Sequence, residues 1–328
     1  MAVVGAMEAQ EWRPTVMADK CRCVIGIDGG ASSTGAALMD QNLTVIAEGH
    51  GGPADHYSAE DGKERLGKSL AEAVSPLLTA LSASPRLSLE AVCLGLTGVT
   101  IPGKNQAAME ILSGLFPGAD VIIESDTVTA WAGALSGQDG VIVIGGTGSV
   151  AFGRSGARET RKGGFGYLFG DEGSGFRIAC DAISATLREY DGTGPVTSLS
   201  IAVRNFFGVP NVRMVPGKVY SESIPVEQIA ALCPLVVAQA ERGDEVAHRI
   251  IVEAGQSLGR LAVAALETFD GEVHKVSYAG GVFQAGEAIL RPFRKEIAKA
   301  LPRAEVLAPA HPPLIGAGVM AWASRSRR

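Results

Sequence analysis

Val141–Gly153 reads VIVIGGTGSVAFG: a β-branched run, a turn made of Gly145, Gly146, Thr147, Gly148 and Ser149, and then apolar residues again. Two strands joined by a tight turn need only one or two residues of left-handed backbone, so three glycines with two hydroxyl residues exceed what turning requires. Lacking Cβ atoms, glycine N–H groups approach an anion closely, and hydroxyls add donors, so this turn reads as a nest for phosphate oxygens. CVIGIDGGASSTGAALMD (Cys23–Asp40) repeats the design earlier in the chain: strand, glycine turn with hydroxyls, strand. Either turn alone is also what a sterically tight hairpin gives. The pair predicts two similar halves, each opening with a β-hairpin, that grip one polyphosphate from both sides.

Composition bounds the partners. With 328 residues, 46% hydrophobic and 20% charged, the chain can bury a large core in two domains of ordinary size. A net charge of −6 argues against nucleic acid and anionic membrane surfaces, which select clustered positive charge. The five cysteines, Cys21, Cys23, Cys93, Cys180 and Cys233, show no repeated CxxC spacing, so reduced thiols in a cytoplasm are expected rather than a disulfide framework or structural zinc. Glu8, Glu11, Arg13 and Asp19 interrupt the N-terminal stretch as a signal peptide, and no later run is long and uncharged enough to span a membrane. Residues 1–21 read as a tail, with a packed arm as the alternative.

Strands are expected at Cys23–Ile27, Gly35–Leu38, Thr44–Glu48, Ala91–Leu96, Val121–Ile123, Val141–Ile144, Val150–Gly153 and Val276–Tyr278, alternating with helical patterns as in α/β layers. Leu66, Leu70, Val74, Leu77, Leu78 and Leu81 keep three-to-four spacing, predicting an amphipathic helix through Pro76. After Gly170 helical patterns dominate: Ser174–Tyr190, Val196–Phe206, Val226–Gln239 and Val246–Phe269, with a Gly/Pro-rich surface loop expected over 208–218.

These motifs resemble the sugar-kinase, Hsp70 and actin superfamily, in which ATP lies between two duplicated ribonuclease-H-like domains of α/β class. In that resemblance Asp28-Gly29-Gly30, with Ser32, Ser33 and Thr34, is the first phosphate loop; Gly146-Thr147-Gly148-Ser149 is the second; and SYAGGVF (Ser277–Phe283) supplies the adenosine-side pair Gly280 and Gly281. GGFGYLFGDEGSG (Gly163–Gly175) and ESDTVTAWAGA (Glu124–Ala134) are similar to the sugar-site and catalytic segments of the N-acetylglucosamine-kinase-like branch of the BadF/BadG/BcrA/BcrD ATPase family. The resemblance implies ATP and Mg²⁺ as cofactors, an amino sugar as substrate with O6 as acceptor, and a homodimer. It also implies an N-terminal lobe (22–136 plus 313–328) and a C-terminal lobe (137–312) around an interdomain cleft.

Asp126 follows the apolar VIIES and opens a helix, so it stands at the carboxyl end of a strand, where open α/β sheets bind ligands. An N-cap is the ordinary use of such an Asp; the resemblance assigns it general-base catalysis on the sugar hydroxyl. Asp28, inside a phosphate loop, would repel a triphosphate unless a cation lay between, which makes it the candidate metal ligand. Gly164, Phe165, Asp171 and Glu172 are implied for the sugar, Asp171 and Glu172 as charged acceptors for hydroxyls. Asp55 stands where relatives commonly have an Asn that touches the sugar, and its carboxylate would suit a 2-ammonium group, leaving glucosamine open beside N-acetylglucosamine; His56 next to it reads as a structural loop histidine or a sugar contact. The first loop departs from the family's usual DGGGTKT at Ala31 and Ser32. The rival class is the family's activator ATPases, whose bridging iron–sulfur cluster requires ligating cysteines. No suitable cysteine pair is evident here.

Overall fold

The structure, a computed structural model, describes residues 20–54 and 61–325. Most of the N-terminal segment, with Asp55 and His56, lies outside the described residues. The first sheet contains β1 (Cys21–Gly29), β2 (Thr34–Asp40), β3 (Val45–Gly51), β4 (Leu87–Leu96) and β5 (Asp120–Ser125) in the order β3-β2-β1-β4-β5. β1, β2 and β3 form an antiparallel meander, and β4 and β5 continue parallel to β1. The second sheet, from β6 (Gly140–Gly145), β7 (Ser149–Ser155), β8 (Arg158–Gly163), β9 (Lys275–Ala279) and β10 (Glu305–Val306), has the order β10-β9-β6-β7-β8 and the same pattern of directions. The two glycine turns therefore occupy equivalent hairpins, β1–β2 and β6–β7.

Helix α1 (Gly62–Ala83) passes through Pro76 and buries Leu66, Leu70, Val74 and Leu77; α2 (Lys104–Leu115) follows β4. Beyond α3 (Asp126–Ala134), the second half adds α4 (Gly175–Tyr190), α5 (Leu199–Phe207), α6 (Val215–Ser221), α7 (Val226–Ala230), α8 (Cys233–Glu241), α9 (Glu245–Glu267), α10 (Glu287–Ala300) and α11 (Pro313–Arg325). α9 covers one face of the second sheet, where Leu258, Ala262 and Leu266 share a core with Val141, Val143 and Ala151. No helix among the described residues is long and apolar enough to cross a membrane.

The last helix of each half crosses to the other half. α3 follows the first sheet but buries Val128, Trp131 and Leu135 with Ile142 and Phe152 of the second. α11 follows the second sheet but buries Ala317 and Ala321 with Val24, Ala37, Met39, Ala91 and Cys93 of the first. The two helices touch backbone to backbone: a Cβ on Gly316 would lie 2.0 Å from the Thr129 carbonyl oxygen and 2.4 Å from the Gly133 nitrogen. Only glycine permits this crossing.

Three expectations change. Val226–Gln239 is two helices, because Pro234 lacks an N–H and begins α8 rather than continuing α7. The expected loop at 208–218 carries a 3₁₀ turn, Val212–Met214, and most of the first turn of α6, which Pro216 opens. β8, RETRKG, has no apolar pattern to announce it; it becomes a strand by pairing with β7, and its charges suit a sheet edge.

Candidate functional site

The first glycine turn is built at the carboxyl ends of β1, β4 and β5. Thr97 donates its N–H to Gly29 O at 3.0 Å, which ties the end of β4 to the turn, and Gly30 N–H closes on Ser33 O at 3.0 Å. Ala31, Ser32 and Ser33 are exposed. Thr34 is not an open donor: it is fully buried, and its hydroxyl donates to Gly52 O at 2.8 Å, tying the turn to β3. None of Gly29, Gly30, Gly145, Gly146 and Gly148 has positive φ. Turning does not demand these glycines, and beside Gly146 a Cβ would meet open space.

Asp126 is the first residue of α3, and the capping role falls to Ser125, whose hydroxyl accepts the Val128 N–H at 3.3 Å. The Asp126 carboxylate accepts the N–H and hydroxyl of Thr127 at Oδ1, at 2.8 and 3.2 Å. Among the described residues its Oδ2 has no hydrogen-bond partner. Asp28 lies close enough to feel this charge: burial, and then Asp126, push its carboxyl up to about 6. Two neighbouring carboxylates at the carboxyl ends of β1 and β5 are hard oxygen donors of the kind a divalent cation takes.

The second turn is held from behind. Asp171, left-handed at φ 61°, is buried; its Oδ1 accepts the Ser149 N–H at 3.1 Å, and a Cβ on Gly148 would lie 2.7 Å from its Oδ2. Ser149 is buried as well and donates its hydroxyl to Glu172 O at 2.8 Å. The turn also meets α4, where Gly175 N–H reaches Gly146 O at 2.8 Å, with Ser174 capping. Gly280, at φ 98°, lies against the same turn, since a Cβ there would be 2.4 Å from Gly145 O. Gly281 faces open space.

The expected sugar acceptors separate. Asp171 is engaged by the second turn, whereas Glu172, the next residue beyond its left-handed backbone, is exposed and lines a cavity of ≈ 390 Å³ between α4 and α9 with Arg177, Asp181 and Arg260. Phe165 is 75% exposed, in a segment that also exposes Leu168 and Phe169. Gly164 N–H donates to Ser149 O at 2.9 Å, so this segment starts from the second turn.

Three supports went unread in the sequence. Ser125 takes the cap. Lys104 is fully buried and donates to Thr97 O at 2.7 Å, beneath the end of β4. Arg161 packs its guanidinium over Gly164, with Nη2 2.8 Å from where a Cβ would stand. The only cue to Arg161 was its place just before Gly163-Gly164; the charged strand that orients it could not be recognised.

The sequence profile of the BadF/BadG/BcrA/BcrD ATPase family matches residues 25–321. The N-acetylmuramic acid/N-acetylglucosamine kinase of Clostridium acetobutylicum is 30% identical, covering 91% of this chain and 97% of the relative. The N-acetyl-D-glucosamine kinase of Dictyostelium discoideum is 27% identical, covering 92% of this chain and 98% of the relative. A crystal structure from Chromobacterium violaceum superposes with a TM-score of 0.67 at 29% identity, covering 92% of this chain and 99% of that one.

Proposed function

The chain belongs to the BadF/BadG/BcrA/BcrD ATPase family, and on that premise we propose that it is an ATP-dependent kinase of amino sugars, with N-acetylglucosamine or glucosamine as acceptor at O6. Relatives spanning nearly its whole length carry amino-sugar kinase names, which supports the substrate class. The observation that carries the reading is the Asp28–Asp126 pair at the carboxyl ends of β1 and β5, close enough for the charge of one to raise the other.

In this reading Asp126 takes the proton of the attacking sugar hydroxyl, a role typically worth about 10²–10⁴ in rate. The backbone N–H groups of the two turns hold the phosphates, and Gly280 and Gly281 border the adenosine side. Asp28 holds Mg²⁺, directly or through water; the ion supplies charge neutralisation at the triphosphate, which with positioning dominates phosphoryl transfer. Phe165 and Gly164 border the sugar. We place the lobe boundaries at 136/137 and 312/313, with the α3–α11 crossing as the hinge; closure excludes water that would otherwise compete as acceptor. A homodimeric, cytoplasmic enzyme completes the reading.

An iron–sulfur activator ATPase is disfavoured by the thiols. Cys93 is buried in the core of the first sheet with Val24, Ala37 and Met39, and Cys180 is a half-buried residue of α4 in the other half, so the two do not make a ligand pair for a bridging cluster.

A coupled ADP-release assay over N-acetylglucosamine, glucosamine, N-acetylmuramic acid, glucose and N-acetylmannosamine tests the function. Turnover is expected on the amino sugars, with Asp126→Ala slower by about 10²–10⁴. Turnover retained in that variant removes the proposed base, and failure on every amino sugar removes the function.

A further inference from the structure

We infer that Arg161 is a specificity residue for an acidic amino sugar: its guanidinium receives a carboxylate carried by the sugar ring. This rests on the kinase reading above. The strand register sets the side chain's direction. Arg161 pairs with Phe152 across β7 and β8, so the two share a face of the second sheet. Phe152 is buried against α3, the helix that begins at Asp126. The neighbouring register positions agree. Thr160, on the opposite face, meets Thr268 beyond the end of α9 at 3.2 Å, and Arg154, on the Phe152 face, lies 4.8 Å over the Trp131 ring of α3. Arg161 is thus presented on the Asp126 side.

Its height along the strand also matters. β8 ends at Gly163, beside the second glycine turn, and Arg161 is bent over Gly164, which hydrogen-bonds to Ser149 O. The other arginines of this strand and its neighbour are paired: Arg154 with Glu159, and Arg158 with Asp270 and Glu272. Arg161 is exposed, and among the described residues it has neither an ion pair nor a hydrogen bond.

A planar guanidinium recognises a carboxylate through two parallel hydrogen bonds, which a solvated lysine does not reproduce. Neutral sugars offer nothing to this group beyond hydroxyl contacts. A sugar with a carboxylate-bearing ether at O3 offers the matching fork while leaving O6 for transfer.

The probes are N-acetylglucosamine and N-acetylmuramic acid, the same ring with a lactyl ether at O3, assayed on wild type, Arg161→Gln and Arg161→Lys. Wild type is expected to phosphorylate both. Arg161→Gln is expected to lose roughly 10- to 100-fold in kcat/KM on the acidic sugar, mainly through KM, while staying within about twofold on the neutral one. Arg161→Lys falls between. Calorimetric binding of N-acetylmuramic acid to wild type and Arg161→Gln gives the same contrast without turnover.

Equal losses on both sugars would assign the arginine to the phosphate end and overturn the inference. Unchanged kinetics on both would make it a solvated surface charge. A wild type that accepts only the neutral sugar and does not bind the acidic one sinks this inference and leaves the kinase intact. Inactivity on every amino sugar is the separate failure of the function itself.

Discussion

The two glycine turns share a scaffold and differ in chemistry. Each joins the first two strands of its sheet, and each starts its second strand with a buried hydroxyl, Thr34 or Ser149, that donates to a distant carbonyl at 2.8 Å. The register makes Gly29 equivalent to Gly145, and hence Asp28 equivalent to Ile144. A half-buried carboxylate stands on one side where an aliphatic side chain packs near α3 on the other. The second turn has its carboxylate behind it, as Asp171, engaged by the backbone. The two turns thus share what shapes them and differ at the position before each, which carries a carboxylate in one and an aliphatic side chain in the other.

The largest effect that would break this comparison is at Asp28. Asp28→Asn is expected to lower turnover by about 10²-fold or more, the several kcal/mol a metal ion supplies to such chemistry. The same change should stabilise the metal-free fold. Because burial and Asp126 raise Asp28 from 3.8 to about 6, its contribution to stability is full below the unfolded value and is lost as pH rises through about 6. Denaturant unfolding in EDTA should therefore show the Asn variant ~3 kcal/mol more stable than wild type at pH 7.5, and the gap closing by pH 4. A gap independent of pH would mean that Asp28 is an ordinary exposed carboxylate.

Next is Gly280, which lies against the second turn only. Gly280→Ala, with positive φ and a Cβ 2.4 Å from Gly145 O, is expected to cost about 2–4 kcal/mol in thermal unfolding and to raise the KM for ATP. The smallest effect sharpens the likeness. Thr34→Val and Ser149→Ala each leave a carbonyl without its donor and should cost about 1–3 kcal/mol apiece by denaturant midpoint. Clearly unequal costs would mean that the two hydroxyls are not equivalent braces.

Much of the architecture was legible because hairpins and amphipathic helices are local. The runs at Cys23–Ile27 and Val141–Ile144, the helix through Pro76, and the swap from mixed elements to helices after Gly170 all follow from periodicity and turn chemistry. β8 was not legible, since its six residues include Arg158, Glu159, Arg161 and Lys162, and only the partner strand makes them a strand. Arg161 was lost with it. At the site, Asp126 and Asp28 stood out as carboxylates ending apolar strands. The separation of Asp171 from Glu172 was hidden, because two adjacent acids look alike until a left-handed backbone between them sends one into the turn and the other outward.

By itself, the order of residues determined two hairpins with glycine-rich turns, the carboxylates beside the first, and the helices that follow, because each depends on neighbours a few positions apart. Only the tertiary structure decided which helix serves which sheet, which hydroxyls are buried as braces, and which charges share a face. Those outcomes depend on Gly133 meeting Gly316 from far along the chain, on Thr34 reaching Gly52, and on the register that sets Arg161 opposite Phe152. Register and burial, which no local pattern contains, set them.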